Sequence, residues 1–184
     1  MEREFVIGVT GASGSIYARR LLEVLCRSHR VHIIVSETAR ELASHEGVNL
    51  DGFDAAYYDN RDLAAPIASG SYRFERMAIV PCSAKTLAAV SHGMANTLIG
   101  RAADVALKER RGLVLLMREM PLSRVHLRNM LLADESGATV MVASPGFYHH
   151  PRTIDDLVDM VVGRVLDHLG VEHALMARWR GYDA

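Results

Sequence analysis

Five short runs of apolar residues mark this chain: Phe5–Thr10, Val31–Val35, Met77–Val80, Leu113–Met117 and Thr139–Ala143. A strand with one wet face alternates apolar and polar side chains. Runs without that alternation belong to strands buried on both faces. Between them lie segments of helical periodicity at Ile16–Cys26, Glu37–Ser44, Lys85–Ser91, Thr97–Arg110, Ser123–Ala133 and Thr153–Leu169. The last carries an apolar stripe of Leu157, Val158, Val161, Val162, Val165 and Leu166. Strands alternating with helices predict a mainly parallel sheet covered on both faces, with right-handed crossovers. The expected fold class is α/β, a single Rossmann-like (flavodoxin-like) three-layer domain spanning 1–184. At 184 residues the chain suits one such domain. The stretch from Gly47 to Ser71 reads as polar and irregular, and it is where an insertion or lid would sit.

Composition removes several function classes. The net charge is −1, which gives no electrostatic case for nucleic acid or an anionic membrane. Of the 21 basic residues, only Lys85 and Lys108 are lysines. Cys26 and Cys82 make neither a disulfide scaffold nor a zinc spacing. Cys82, at a strand end, reads as buried packing rather than as a nucleophile. With no signal-peptide pattern and no long apolar span, the expected address is cytoplasmic.

In parallel α/β sheets, ligands bind beyond the carboxyl ends of the strands, so the turns there carry the functional reading. Thr10-Gly11-Ala12-Ser13-Gly14-Ser15 joins the first strand to the first helix. Its glycines allow a tight turn, and the helix behind it would offer N–H groups to a phosphate. A plain tight turn is the competing reading. The run is also similar to a nicotinamide loop, but the third Rossmann glycine is missing and no Tyr-x-x-x-Lys pair occurs. Pro81-Cys82-Ser83-Ala84-Lys85-Thr86 closes the third strand in the same way. There Ser83 and Thr86 either cap a helix or hold a second part of an anionic ligand. Arg101–Arg111 reads as a charged helix, by composition a solvated face. Arg118-Glu119-Met120-Pro121 and Phe147-Tyr148-His149-His150 follow the fourth and fifth strands on the same rim. The adjacent His149 and His150 would face opposite ways, so no metal site is expected.

Taken in order, these pieces resemble the UbiX family of flavin prenyltransferases, related to the Pad-type flavoproteins once described as aromatic acid decarboxylases. The matching runs are Thr10–Gly14, Ser69–Ser71, Pro81–Leu87, Arg101–Arg111, Arg118–Pro121, Phe147–His149 and Arg178-Trp179. The resemblance implies transfer of a dimethylallyl group from dimethylallyl phosphate to N5 of reduced FMN, with ring closure at C6. No metal is implied, and the prenylated FMN would serve a UbiD-type decarboxylase. FMN would be held by Gly11, Ala12, Ser13, Ser36, Ser83, Ala84, Lys85, Thr86 and Arg118. Lys108, Tyr148 and Arg164 would grip the prenyl phosphate, and Glu119, Ser13 and Lys108 would act at the reacting atoms. Preorganised cations suit a phosphate that gains charge as it leaves, and Glu119 could supply or relay a proton to it. Some members carry an aromatic residue where this chain has Leu63, so a different alkyl-chain preference is expected. The family also implies a homo-oligomer, a dodecamer, with the tail at about 171–184 packing on a neighbouring subunit and Trp179 walling that subunit's site. An FMN-dependent decarboxylase acting directly on aromatic or peptidyl substrates is the first alternative. A non-catalytic flavin carrier is the second.

Overall fold

A computed structural model describes residues 2–179 and 181. The five expected strands are β1 (Glu4–Val9), β2 (Arg30–Val35), β4 (Arg76–Cys82), β5 (Gly112–Met117) and β6 (Ala138–Val142). The sixth, β3 (Ala56–Tyr58), lies in the stretch expected to be irregular. It is a three-residue edge strand pairing with His32–Ile34, too short to show a period. The helices are α1 (Ser15–Leu25), α2 (Glu37–His45), α3 (Ala84–Ser91), α4 (Leu98–Lys108), α5 (Arg124–Glu135) and α6 (Ile154–Leu169). β4 runs through Pro81 to Cys82, past its expected end, because Cys82 pairs with Met117 after a register shift.

The sheet is parallel throughout, in the order β3-β2-β1-β4-β5-β6. Without the short β3, that is the flavodoxin order. The direction of winding reverses between β1 and β4, and the crevice there is the expected ligand site. The pleat sends Phe5, Ile7 and Val9 to the face covered by α1 and α6, and Val6 to the face covered by α3 and α4. Each face carries its own core. Leu21, Leu22, Val161, Val162 and Leu166 fill one, while Leu87, Leu98, Ile99, Val105 and Ala106 fill the other. Burial on both faces is why the strands lack alternation.

His32 is the polar residue inside an apolar run, and it is buried. Its Nε2 lies 2.7 Å from Glu4 Oε1 and its Nδ1 3.1 Å from the Tyr58 hydroxyl, so both ring nitrogens are satisfied. Cys82 is fully buried, and burial pushes its thiol up to about 12. That is packing, not nucleophile chemistry.

Candidate active site

At the reversal point, the loops after β1 and β4 are tied through Thr10. Its hydroxyl donates to the Pro81 carbonyl at 2.9 Å and accepts the Ser83 N–H at 2.8 Å. Beside this tie lies a cavity of about 340 Å³. Gly11, Ala12, Ser36, Ser83, Ala84, Lys85, Thr86, Arg118 and Glu119 all line it, together with Thr10, Asn60 and Thr97. Of the residues expected to hold the flavin, only Ser13 falls outside the lining.

Four helices, α1 to α4, begin at this rim, but they do not offer the same chemistry. The first N–H groups of a helix lack intrahelical partners and attract anions unless something else takes them. At α1 the Glu46 carboxylate takes them, accepting from Gly14 N–H at 2.9 Å and Ser15 N–H at 2.8 Å. The expectation that this helix end meets a phosphate is therefore corrected: an internal carboxylate already occupies it. At α4 the Asn60 backbone carbonyl accepts Leu98 N–H at 2.8 Å, its side-chain oxygen accepts Ile99 N–H at 3.0 Å, and Thr97 caps Gly100. The other two ends are open. Ser36 caps only Ala39 on α2, and Ser83 caps only Thr86 on α3. Among the described residues nothing takes the first-turn N–H groups of Glu37, Thr38, Ala84 and Lys85, which leaves them to a ligand.

Glu46 was not visible as a site residue in the sequence, where it lies just past the end of an ordinary amphipathic helix. Burial would raise its pKa, but hydrogen bonds from the Ser13 hydroxyl and from the Gly14 and Ser15 N–H groups outweigh this and hold it below the ordinary 4.5. Arg118 donates from Nε to the Ser13 carbonyl at 3.2 Å. Glu119, half-buried, accepts the Met120 N–H at 3.0 Å. Ser13, Glu46 and Arg118 thus converge where β1 and β5 end, and Glu119 follows Arg118 in the cavity lining.

The expected phosphate grip divides into two places. Tyr148 meets Trp179 edge-on, with ring centroids 5.5 Å apart. Arg178, beside Trp179, pairs with Asp167, and so does Arg164. Tyr148, Arg164 and Trp179 therefore belong to one cluster, and within this chain Trp179 walls its own Tyr148. Lys108 is elsewhere. It ends α4, about 15 Å along the axis from a first turn that lies beside the cavity. Glu119 follows the far end of β5, a strand of roughly 20 Å. α4 covers one face of the sheet and α6 the other, so a single copy does not bring Lys108 to Arg164.

Lys108 pairs with Glu109 at 2.5 Å next to Gly70. Two arginines fix that corner. Arg101 Nε donates to the Ala68 carbonyl at 2.9 Å, and Arg111 donates to the Tyr72 and Gly70 carbonyls, each at 2.8 Å. The charged face of α4, expected to be merely solvated, instead anchors the Ser69-Gly70-Ser71 loop. Leu63 is half-exposed on the preceding segment.

The residues present fit a flavin mononucleotide. Open N–H groups with Ser36, Thr38, Ser83 and Thr86 hydroxyls suit a phosphate ester and ring heteroatoms. Gly11 lets the start of α2 approach this turn, since a Cβ there would stand 2.7 Å from Thr38 Cγ2. Among the described residues there is no group of three His, Cys, Asp or Glu side chains that could hold a metal ion, and no helix is long and apolar enough to cross a membrane.

Comparison with known proteins agrees with this geometry. The Flavoprotein family matches residues 1–166. The flavin prenyltransferase UbiX of Deinococcus radiodurans is 50% identical over 184 residues, covering 97% of this chain and 94% of that protein. The flavin prenyltransferase UbiX of Methanocaldococcus jannaschii is 44% identical over 181 residues, covering 96% and 98%. The crystal structure of AnUbiX (PadA1) in complex with FMN and dimethylallyl pyrophosphate superposes with a TM-score of 0.94 at 40% identity, covering 99% of this chain and all of that one. A dodecameric FMN-dependent UbiX-like decarboxylase from Escherichia coli O157:H7 superposes at 0.92 with 42% identity, covering 97% and 100%. The peptidyl-cysteine decarboxylase EpiD, 19% identical with a TM-score of 0.62, shares the fold alone. At this identity and coverage, the chain belongs to the Flavoprotein family and, within it, to the UbiX flavin prenyltransferases.

Proposed function

We propose that this protein transfers a dimethylallyl group from a dimethylallyl phosphate to reduced FMN, making prenylated FMN. The observation that carries the reading is the pair of open helix ends, α2 and α3, on a cavity that closes against Arg118 and Glu119. Reduced FMN supplies the nucleophilic N5, and the donor's allylic C–O bond breaks as the N5–C bond forms.

The chain's own residues do the rest. Arg164 and the Tyr148 hydroxyl hold the departing phosphate. Cations aimed at that developing charge, in a site closed to water, lower the barrier most. Glu119 donates or relays a proton to the phosphate. Ser13, hydrogen-bonded to Glu46, holds or passes the proton that leaves the flavin edge. Lys108 acts from a neighbouring copy, because within one chain α4 and α6 cover opposite faces of the sheet, which stands between Lys108 and Arg164. That requirement, the exposed Met120 and Phe147 at the rim, and the dodecameric relative favour a homo-oligomer. The product would pass to a UbiD-type decarboxylase in the cytoplasm.

The test is incubation with reduced FMN and either dimethylallyl phosphate or the pyrophosphate, followed by mass measurement of the bound flavin. A gain of one dimethylallyl unit is expected. Carbon dioxide from a cinnamate-type acid is expected only after a UbiD-type partner is added. Release by this protein alone would favour the direct decarboxylase, and an unchanged flavin with either donor would favour the carrier.

A further inference from the structure

The carboxylate of Asp167, near the end of α6, gathers three side chains. Arg164 Nη1 and Arg178 Nη1 both donate to Oδ2 at 2.7 Å, while Arg178 Nη2 and His173 Nε2 donate to Oδ1 at 2.5 and 3.1 Å. His173 Nδ1 accepts the Leu175 N–H at 3.3 Å, which leaves Nε2 as the nitrogen that donates to Asp167. Two guanidiniums against one carboxylate leave a net positive charge at this point. The tail's seat is shaped for it: a Cβ on Gly163 would stand 2.8 Å from His173 Cε1. Only glycine lets the tail lie this close to α6. Arg178, so pinned, delivers the next residue, Trp179, to the edge of Tyr148.

Arg164 has no other hydrogen-bond partner among the described residues. With Nη1 committed to Asp167, the Nε–Nη2 edge of its planar fork is the edge left for an anion. That edge matches two phosphate oxygens. We propose that Asp167 is a positioning residue that couples the C-terminal tail to the donor phosphate: it aims Arg164 and pins Arg178 on one carboxylate, so that seating the phosphate and closing Trp179 over Tyr148 are one event. The inference rests on the reading that Arg164 meets the donor. It adds a residue that touches neither substrate, and it gives the tail a role within its own chain.

The chain contains one tryptophan, so its emission reports the tail. Asp167→Asn keeps the shape and removes the charge. In FMN-free protein its Trp179 emission should shift to longer wavelength, with an unchanged far-ultraviolet dichroism spectrum. KM for dimethylallyl phosphate should rise about ten- to a hundredfold, as expected when a donor group is displaced by an ångström or so, with FMN affinity unaltered. Arg178→Gln, at an exposed position, should give the same emission shift with a smaller rise in KM, since Arg164 keeps its partner. Wild-type emission in Asp167→Asn would overturn the proposal, and so would a released tail with unchanged KM. If the wild type turns over neither prenyl donor, the functional reading has failed, and inorganic phosphate decides the coupling. An emission shift with phosphate in wild type but not in Asp167→Asn supports it. No shift in wild type overturns it.

Discussion

Glu46 determines what the turn after β1 can do. By accepting the Gly14 and Ser15 N–H groups it keeps an anionic ligand off α1, and by bonding Ser13 it sets a titratable group beside the residue proposed to handle the flavin's proton. Glu46→Gln keeps one acceptor but turns an N–H donor toward a backbone N–H. Hydrogen bonds to a charged partner contribute about 1.5–3 kcal/mol each, so a loss of stability on that order is expected in denaturant melts. The sign with pH follows from the lowered folded pKa. The contribution is fully present above the ordinary 4.5 and is lost as pH falls from there through the lower folded value. The acid limb of the stability profile should be shallower in the variant, and equal limbs would remove Glu46 from this role. Glu119→Gln tests a different step. It should keep the fold and bound FMN but lose most turnover, measured as flavin prenylated per minute across the pH range. A full rate in the variant would make Glu119 structural.

At the scale of elements, similar helix starts have been given different tasks. Asn60 closes α4 with its backbone and side-chain oxygens, whereas α2 and α3 keep first-turn donors for a ligand. α2 can stand where it does because Gly11 has no side chain. Gly11→Ala would set a methyl group 2.7 Å from Thr38 Cγ2 and 2.9 Å from Thr38 Cβ, so that the first turn of α2 must shift. Overpacking of this kind typically costs about 1–3 kcal/mol. The expected outcome is weaker FMN binding by calorimetry together with a lower melting temperature, the latter largely restored by Thr38→Gly in the same chain. An Ala variant that binds FMN like wild type would show that the contact is slack.

At the scale of the molecule, one copy carries the parts of a site without closing it. Lys108 and Glu119 flank opposite ends of β5, and Val125, Leu127 and Leu131 lie exposed along α5, as do Met120 and Phe147 at the rim. Copies packing through such surfaces would bury them and carry Lys108 to a neighbour's phosphate. Lys108→Ala should lose roughly 2.7–4 kcal/mol of transition-state stabilisation while keeping FMN. Chains carrying Lys108→Ala and chains carrying Glu119→Gln should each be nearly inactive alone and regain activity when co-expressed, because mixed assemblies contain some sites with both groups intact. No recovery in a verified mixed oligomer would place Lys108 outside the site.

The sequence by itself determined the sheet, the layers and most of the cavity. Unalternating runs such as Phe5–Thr10 can be buried only on two faces, and in a parallel sheet the turns after them must meet at one rim. Gly11, Ser83 and Arg118 were legible for that reason. What the turns offer was decided by tertiary structure. Glu46 and Asn60 are distant in sequence from the helix ends they occupy, and nothing local marks them as caps. The three-residue β3 was too short to leave a period, and His32 reads as an oddity until Glu4 and Tyr58 appear beside it. Lys108 could be matched to a motif, but a motif has no length scale. Only the folded chain shows that α4 and α6 cover opposite faces of the sheet, so that the sheet itself stands between Lys108 and Arg164.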